Sequence, residues 1–345
     1  MIIIVKCLNM IKKKLKKQIF FKSSESIKSE NKPWDKDNQA WWDWYVSLAD
    51  NSNSNTKDTL LELPEPLKLK YSSKIDLNLQ LSRPYNLTKN NIKTFQRNGF
   101  IKLKNVLAPD VIQVLRCEIL LLLKKTFKNY NKNKRNRFLS LEMMWLENAL
   151  IREFVFSSRI TKICADLLSV KKIRLYHDNA LVKESGCGRT PWHYDDHHFP
   201  LETNDVITVW IPAQAIPLEM GPLTFAKPLE VYKLVKDIKF NKFDTSYDKK
   251  INDIFKAKQV SIVEEPFELG EVSFHHNLSF HTAPENKTTQ SRIVLANTYF
   301  ADGARVVNNP TMVSGDWKKF IPATKPGEIV SSNLNPVCWP AYNQI

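Results

Sequence analysis

The stretch 173-IRLYHDNALVKESGCGRTPWHYDDHHFP-200 decides how the second half of the chain is read. Residues 173–183 and 189–195 read as two strands. Alternate strand residues share a face. His193 and Asp195 therefore present an imidazole and a carboxylate side by side, while Tyr194 points away. All seven histidines lie between His177 and His281. Two imidazoles and one carboxylate form the facial triad that leaves open positions on non-haem Fe(II). An HxD pair is weak evidence alone, and its weight comes from the β context and from a matching distal histidine.

Working outward, further strands are predicted over 206–212, 222–226, 258–263, 271–276, 278–282 and 291–300. Upstream the pattern is helical. Thr88 is placed to cap a helix that runs to Asn98 and stops at Gly99. Phe100–Val106 reads as a strand. Pro109 opens a second helix at its first turn, with Val111, Leu115 and Ile119 on one face. Another helical region is expected over about 140–168, and residues 64–86 read as irregular. Helices first and strands afterwards indicate an α+β chain, mainly β, with helices packed on an antiparallel sandwich or barrel.

Three histidines compete for the distal position: His275, His276 and His281. If 278–282 and 291–300 form a hairpin across 283-APENKTTQ-290, His281 lies opposite Arg292. Opposed residues share a face, with Cβ atoms about 5 Å apart. A buried arginine needs an anion, because an unpaired charge in the interior is costly. Neither His275 nor His276 has such a partner in this register.

Composition sets the frame. The 345 residues are enough to bury a sizeable core. The net charge of +15 is unevenly placed, and residues 1–40 hold ten lysines against four acids, a balance of +6. The basic residues are not interleaved with a nucleic-acid-binding module, which argues against such a partner. The run 12-KKKLKK-17 is read as a flexible tail, with weak contact to an anionic surface as the other reading. Residues 1–33 are thus a basic leader and 34–86 an aromatic-rich extension holding Trp34, Trp41, Trp42 and Trp44. The main domain spans 87–345, with a β core of about 170–305. Five scattered cysteines suggest neither a zinc knuckle nor a disulfide framework, so a reducing, cytoplasmic compartment is expected. No stretch approaches the ~20 apolar residues of a transmembrane helix.

Four segments resemble the phytanoyl-CoA dioxygenase family of Fe(II)/2-oxoglutarate oxygenases. They are 95-FQRNGFIKLKNVLAPDVIQVLRCEI-119, the stretch 173–200 quoted above, 207-ITVWIPAQAIPLEMGPLTFA-226 and 270-GEVSFHHNLSFHTAPENKTTQSRIVLANTYF-300. The resemblance implies a double-stranded β-helix, a cupin-like jelly roll buttressed by helices. It implies His193, Asp195 and His281 as iron ligands and Arg292 as the anchor for the distal carboxylate of 2-oxoglutarate. Trp210 matches a tryptophan that packs near the co-substrate. The family often has Ser two residues after the distal histidine. Ala283 stands there in this chain, so Thr282 or a water is expected to assist the arginine. The turn 227-KPLE-230 also departs from the family's Pro-Gly-Ser-His. The implied activity is hydroxylation of a small organic substrate with O2, coupled to decarboxylation of 2-oxoglutarate to succinate. A carboxylate at Asp195, where a related halogenase carries a small residue, favours hydroxylation.

Two rival functions are a cupin-like metal-dependent hydrolase or isomerase, which would not need Arg292 turned inward, and a non-catalytic binding jelly roll. Other polar residues receive plainer readings. His197 and His198 are placed at the mouth or behind the ligands. His177 and Asp178 line the pocket or the core. Lys183 meets an anion or is solvated, and Glu184 and Asp196 sit at the surface.

Overall fold

In the computed structural model, the described residues are Tyr45, Ser47, 74–127, 136–238, 245–310 and 317–340. The leader and most of the aromatic-rich extension fall outside them. Helix α1 (Lys74–Ser82) occupies part of the segment read as irregular. It is tied to the body by the Ser157 hydroxyl, which donates to the Leu81 carbonyl at 2.6 Å. Helix α2 (Lys89–Asn98) has the expected ends. Thr88 accepts from the Asn91 amide in a capping box, and Gly99 closes the helix at φ 79°. Strand β1 (Phe100–Leu103) and helix α3 (Pro109–Thr126) follow, with proline in the first turn of α3. The region 140–168 is not uniformly helical. It contains strand β2 (Phe138–Glu142) and helices α4 (Ala149–Val155) and α5 (Ser158–Leu168).

The remaining strands are β3 (Ile173–Lys183), β4 (Thr190–His193), β5 (Val206–Pro212), β6 (Thr224–Lys227), β7 (Ser261–Val263), β8 (Val272–His276), β9 (His281–Ala283), β10 (Arg292–Ala301) and β11 (Val337–Trp339). Helix α6 (Ser246–Ala257) lies between β6 and β7. The large sheet has the order β1-β8-β5-β10-β3-β11, with β2 also paired to β3. A smaller sheet has the order β4-β9-β6-β7. All pairings are antiparallel. The expected mainly-β jelly roll with buttressing helices is the observed fold. Strands β1, β2 and β11 extend its sheet beyond the 170–305 core.

The two faces of the large sheet differ in chemistry. Val182, Ala180, Ile207, Val209, Ile211, Phe274, Ile293 and Leu295 form one buried cluster with Ile112, Leu115, Ile119, Phe154, Ile160 and Leu167 from the helices. The helices therefore cover the outer face, as apolar burial demands. The inner face can be read from register. Lys183 lies opposite Arg292, and Thr298 lies opposite both His177 and Thr208, with His275 beyond Thr208. Charged and polar rows thus run across an otherwise apolar sheet, toward the small sheet that carries two of the candidate ligands. No helix among the described residues is long and apolar enough to cross a membrane.

Candidate metal centre

His193 ends β4 and His281 opens β9, and the two are register partners in the small sheet. Their ring centroids are 4.1 Å apart. Asp195 opens a short 3-10 turn (Asp195–His198) rather than continuing the strand. Tyr194 keeps an extended backbone, φ −128° and ψ 148°, so the expected alternation survives the end of β4. Tyr194 accordingly turns away and is buried with Phe280 and Trp192. His193, Asp195 and His281 bring one ligand atom each within 4.8 Å of one another. Asp195 Oδ1 lies 3.6 Å from His193 Nε2 and 3.7 Å from His281 Nε2.

The surroundings of these groups fit a divalent metal. His193 Nδ1 lies 2.8 Å from the Pro191 carbonyl, and His281 Nδ1 lies 2.9 Å from the Ser279 carbonyl. Each carbonyl can only accept, so Nδ1 carries the proton and Nε2 is left as the free lone pair. Burial pushes His193 down to about 3 and His281 down to about 4, and the neighbouring imidazoles add to the effect. Burial alone would raise Asp195, but His281 and His275 outweigh it and hold the carboxyl well below its usual range. The set at neutral pH is two neutral imidazoles and one carboxylate, which is the state that binds metal.

Arg292 is 2% exposed. Its guanidinium carbon lies 5.4 Å from the centre of the Trp210 ring, and Nη1 donates to the Gly221 carbonyl. Its Nε has no protein partner among the described residues. Burial pulls Arg292 down to about 10, so the group remains charged at neutral pH. An unpartnered donor on a buried cation fits a carboxylate ligand. Trp210 shares a buried cluster with Phe225, Met220 and Val294, and Phe225 lies 5.9 Å from the His281 ring. One aromatic wall therefore connects the arginine to the histidine and carboxylate group.

Several expectations need correction. His281 and Arg292 do not face each other across a hairpin. Strand β9 pairs with β4 and β6, whereas β10 pairs with β3 and β5. The loop after β9 crosses between sheets, so the two residues come from different sheets of the jelly roll. Thr282 is engaged away from Arg292. Its hydroxyl donates to the Thr190 carbonyl and accepts from Arg189 at 3.2 Å, as expected for the residue after an inward-facing one. These contacts do not support Thr282 as the arginine's helper; the Gly221 carbonyl is the neighbour observed. Glu184 is fully buried, and its carboxylate accepts from the Arg137 amide at 2.9 Å. Asp196 is half-buried, accepts from Asn277 at 2.9 Å, and is pushed up to about 6 by burial. Lys183 is buried too, with its ammonium donating to the carbonyls of Gly188, Ala283 and Pro284 at 2.8 Å each. It pins the turn after β9 rather than meeting a ligand.

Three further residues shape the site. Asp248 of α6 pairs with Arg189 and accepts from the Trp192 amide at 2.7 Å, so the helix grips β4 next to His193. Tyr45, from the aromatic-rich extension, is 2% exposed and meets His193 and His198 edge-on, with centroids 5.7 and 5.8 Å away. The helical spacing of Trp41, Trp44, Tyr45 and Leu48 already reads as a face pressed onto the body, whereas no spacing singles out Asp248. The third is His275, which lies 3.3 Å from Asp195 Oδ2.

Solved structures share this architecture. The non-heme alpha ketoglutarate dependent carbocyclase SnoK from nogalamycin biosynthesis matches 74% of this chain over 99% of its own, with 20% identity and a TM-score of 0.61. The epimerase SnoN from the same biosynthesis matches 72% over 96% of its own, with 18% identity and a TM-score of 0.54. EctD from S. alaskensis with bound Fe matches 72% over 90% of its own, with 14% identity and a TM-score of 0.54. At these identities the likeness is one of fold. No curated protein matches the chain. Residues 95–294, more than half of the chain, match the family described as Phytanoyl-CoA dioxygenase (PhyH), and the chain therefore belongs to the phytanoyl-CoA dioxygenase family of iron- and 2-oxoglutarate-dependent enzymes.

Proposed function

We propose that this protein is an Fe(II)- and 2-oxoglutarate-dependent dioxygenase that hydroxylates a small organic substrate. The observation that carries the reading is the pairing of a ligand-ready His193, Asp195 and His281 group with a buried, incompletely partnered Arg292 on the wall of the same interior. His193, Asp195 and His281 would hold the iron on one face. Arg292, stacked on Trp210, would take the far carboxylate of 2-oxoglutarate. The chemistry supplied by bound iron, 2-oxoglutarate and O2 is oxidation of a C–H bond, with succinate and CO2 as co-products. The chain's part is to present neutral imidazoles, keep Asp195 ionised, and exclude water with Trp210, Phe225 and Phe267.

A cupin-like hydrolase or isomerase would use the same triad but leaves the buried arginine without a purpose. The carbocyclase and epimerase among the similar folds favour a second outcome for the same oxidative start, ring closure or inversion at the oxidised carbon. Asp195 occupies a coordination position, which supports oxygen rather than halogen transfer.

The test is anaerobic titration of the purified protein with Fe(II) and 2-oxoglutarate, followed by O2 exposure and succinate measurement across a panel of small-molecule substrates. The expected result is a weak visible charge-transfer band that disappears in His193→Ala and His281→Ala. A full-strength band in both variants would overturn the ligand assignment. Substrate-stimulated succinate with a hydroxylated product separates hydroxylation from ring closure or epimerisation.

A further inference from the structure

We infer that His275 is a positioning residue for the metal-ligating carboxylate: with Thr208 it occupies one oxygen of Asp195 and leaves the other to the metal. The inference rests on the metal-centre reading above and adds a residue to it. The two oxygens of Asp195 have different surroundings. Oδ1 faces the Nε2 atoms of His193 and His281, at 3.6 and 3.7 Å. Oδ2 accepts from the Thr208 hydroxyl at 3.0 Å and lies 3.3 Å from His275 Nε2.

The two donors are built as a pair. Thr208 of β5 and His275 of β8 are register partners in the large sheet, so their side chains stand on the same face. Thr298 of β10 lies opposite Thr208 on the other side, and the two hydroxyls are 3.2 Å apart. A polar row therefore crosses three strands and ends on Asp195. Asp195 itself lies just past the last strand residue of the small sheet, so this row is where the large sheet fixes a ligand it does not carry.

The tautomer follows from the neighbours. His275 is 2% exposed, and its Nδ1 has no partner among the described residues. A proton on Nδ1 would be a buried donor with nothing to meet, whereas a bare Nδ1 leaves Nε2–H to donate to Asp195. His275 is also held at its ring. It packs against Phe225 and His281, with centroids 5.6 and 4.7 Å away. It is not a member of the group of three whose ligand atoms converge.

The consequence is one of coordination count. A carboxylate with both oxygens free can chelate a metal through both. With Oδ2 held by two donors, Asp195 is presented through Oδ1 alone. Three ligand atoms then come from the protein, and the remaining positions stay available to a chelating co-substrate and O2.

The test uses the full chain with Co(II) and Fe(II) as probes. Metal affinity would be measured by calorimetry, coordination by the visible spectrum of the Co(II) form, and 2-oxoglutarate binding by the anaerobic Fe(II) charge-transfer band. His275→Phe keeps the ring and removes the donor. It should lower metal affinity about 10- to 100-fold, the usual loss when an outer partner of a ligand is removed. It should also change the Co(II) spectrum and weaken the charge-transfer band. His275→Gln restores an N–H donor and should recover most of the affinity. If His275→Phe fails to fold, Thr208→Val, His275→Leu and the two combined serve instead. Because both donors share one oxygen, their effects should be non-additive. Wild-type affinity, spectrum and band in His275→Phe would overturn the proposal, as would strictly additive effects of the Thr208 and His275 changes. A wild-type protein that binds no Co(II) or Fe(II) would be a different result, overturning the metal-centre reading itself and this inference with it.

Discussion

At the scale of single residues, Arg292 separates the oxygenase from a hydrolase that shares its ligands. The guanidinium sits on Trp210 and on the Gly221 carbonyl and has no contact with the three ligand side chains among the described residues. Removing it should therefore affect the co-substrate and spare the metal. Arg292→Leu is expected to weaken 2-oxoglutarate binding by about 2–5 kcal/mol, roughly 30-fold to several-thousand-fold, with Fe(II) affinity near wild type. Arg292→Lys should recover only part, because an ammonium cannot form the bidentate fork. Calorimetry of each ligand separately decides the matter. Unchanged 2-oxoglutarate affinity in Arg292→Leu would remove the reason for preferring the oxygenase. Asp195→Ala should fail differently, losing metal affinity together with turnover, since both the ligand and its charge are gone.

At the scale of elements, the site depends on two joints. One is Gly221, in the turn before β6. Its φ is 73°, and a Cβ there would come within 2.2 Å of the Pro284 carbonyl in the turn that follows β9. Its own carbonyl accepts from Arg292. Gly221→Ala should thus cost at least about 1–2 kcal/mol of stability and also weaken 2-oxoglutarate binding, by shifting the arginine's acceptor. Denaturant midpoints and calorimetry on the same protein read both effects. A variant destabilised but with unchanged 2-oxoglutarate affinity would show that the joint is structural only. The second joint is Asp248, which holds Arg189 and the Trp192 amide one residue before His193. Asp248→Ala should cost about 3 kcal/mol, because it removes the carboxylate facing a half-buried guanidinium and the acceptor of a buried N–H.

These joints also show what was legible in the sequence. Helix ends were, since capping is local: Thr88, Gly99 and the Pro109 start lie where their chemistry puts them. Strands β3 and β5 match their expected spans, 173–183 and 206–212, because runs rich in apolar and β-branched residues need no partner to be recognised. Pairing was not legible. Strands β9 and β10 are close in sequence and read as a hairpin, yet each finds its partners far away. Lys183 and Glu184 look like surface residues until the carbonyls and amides that satisfy them are supplied by remote loops. His275 was set aside as the distal ligand, in keeping with the group that converges, but its place beside Thr208, on a strand some 67 residues earlier, could not be read from the sequence. The candidate ligands stood out because HxD and the distal histidine combine with a family pattern, not because strand geometry alone placed them.

At the scale of the whole molecule, the buried titratable groups make stability depend on pH and couple it to metal. Burial holds His177, His193, His197, His276 and His281 below their ordinary value, at about 3 to 4. A histidine depressed in the folded state takes up its proton on unfolding. The stability it contributes is complete above about pH 6.5 and is lost as pH falls toward 4. Asp178 and Asp196 work the other way. Burial raises them to about 7 and about 6, so they bind protons in the folded state first and favour it as pH falls through that range. The histidines outnumber them, and the metal-free protein is expected to lose stability between pH 6.5 and 4. Each net proton contributes at most about 1.4 kcal/mol per pH unit. Denaturant midpoints across that range test the sign, and a midpoint that rises on acidification would contradict it. Metal reverses part of the loss. Bound metal stabilises the folded state in proportion to the logarithm of its excess over the dissociation constant, about 2.7 kcal/mol at a hundredfold excess. Protons compete for the same Nε2 atoms. Those atoms take up protons only near pH 3 to 4 in the folded protein, so the stabilisation by Co(II) should hold from pH 7.5 to about 5 and fall away as pH approaches 4. Stabilisation already lost at pH 5 would mean that the metal sits on groups other than His193 and His281.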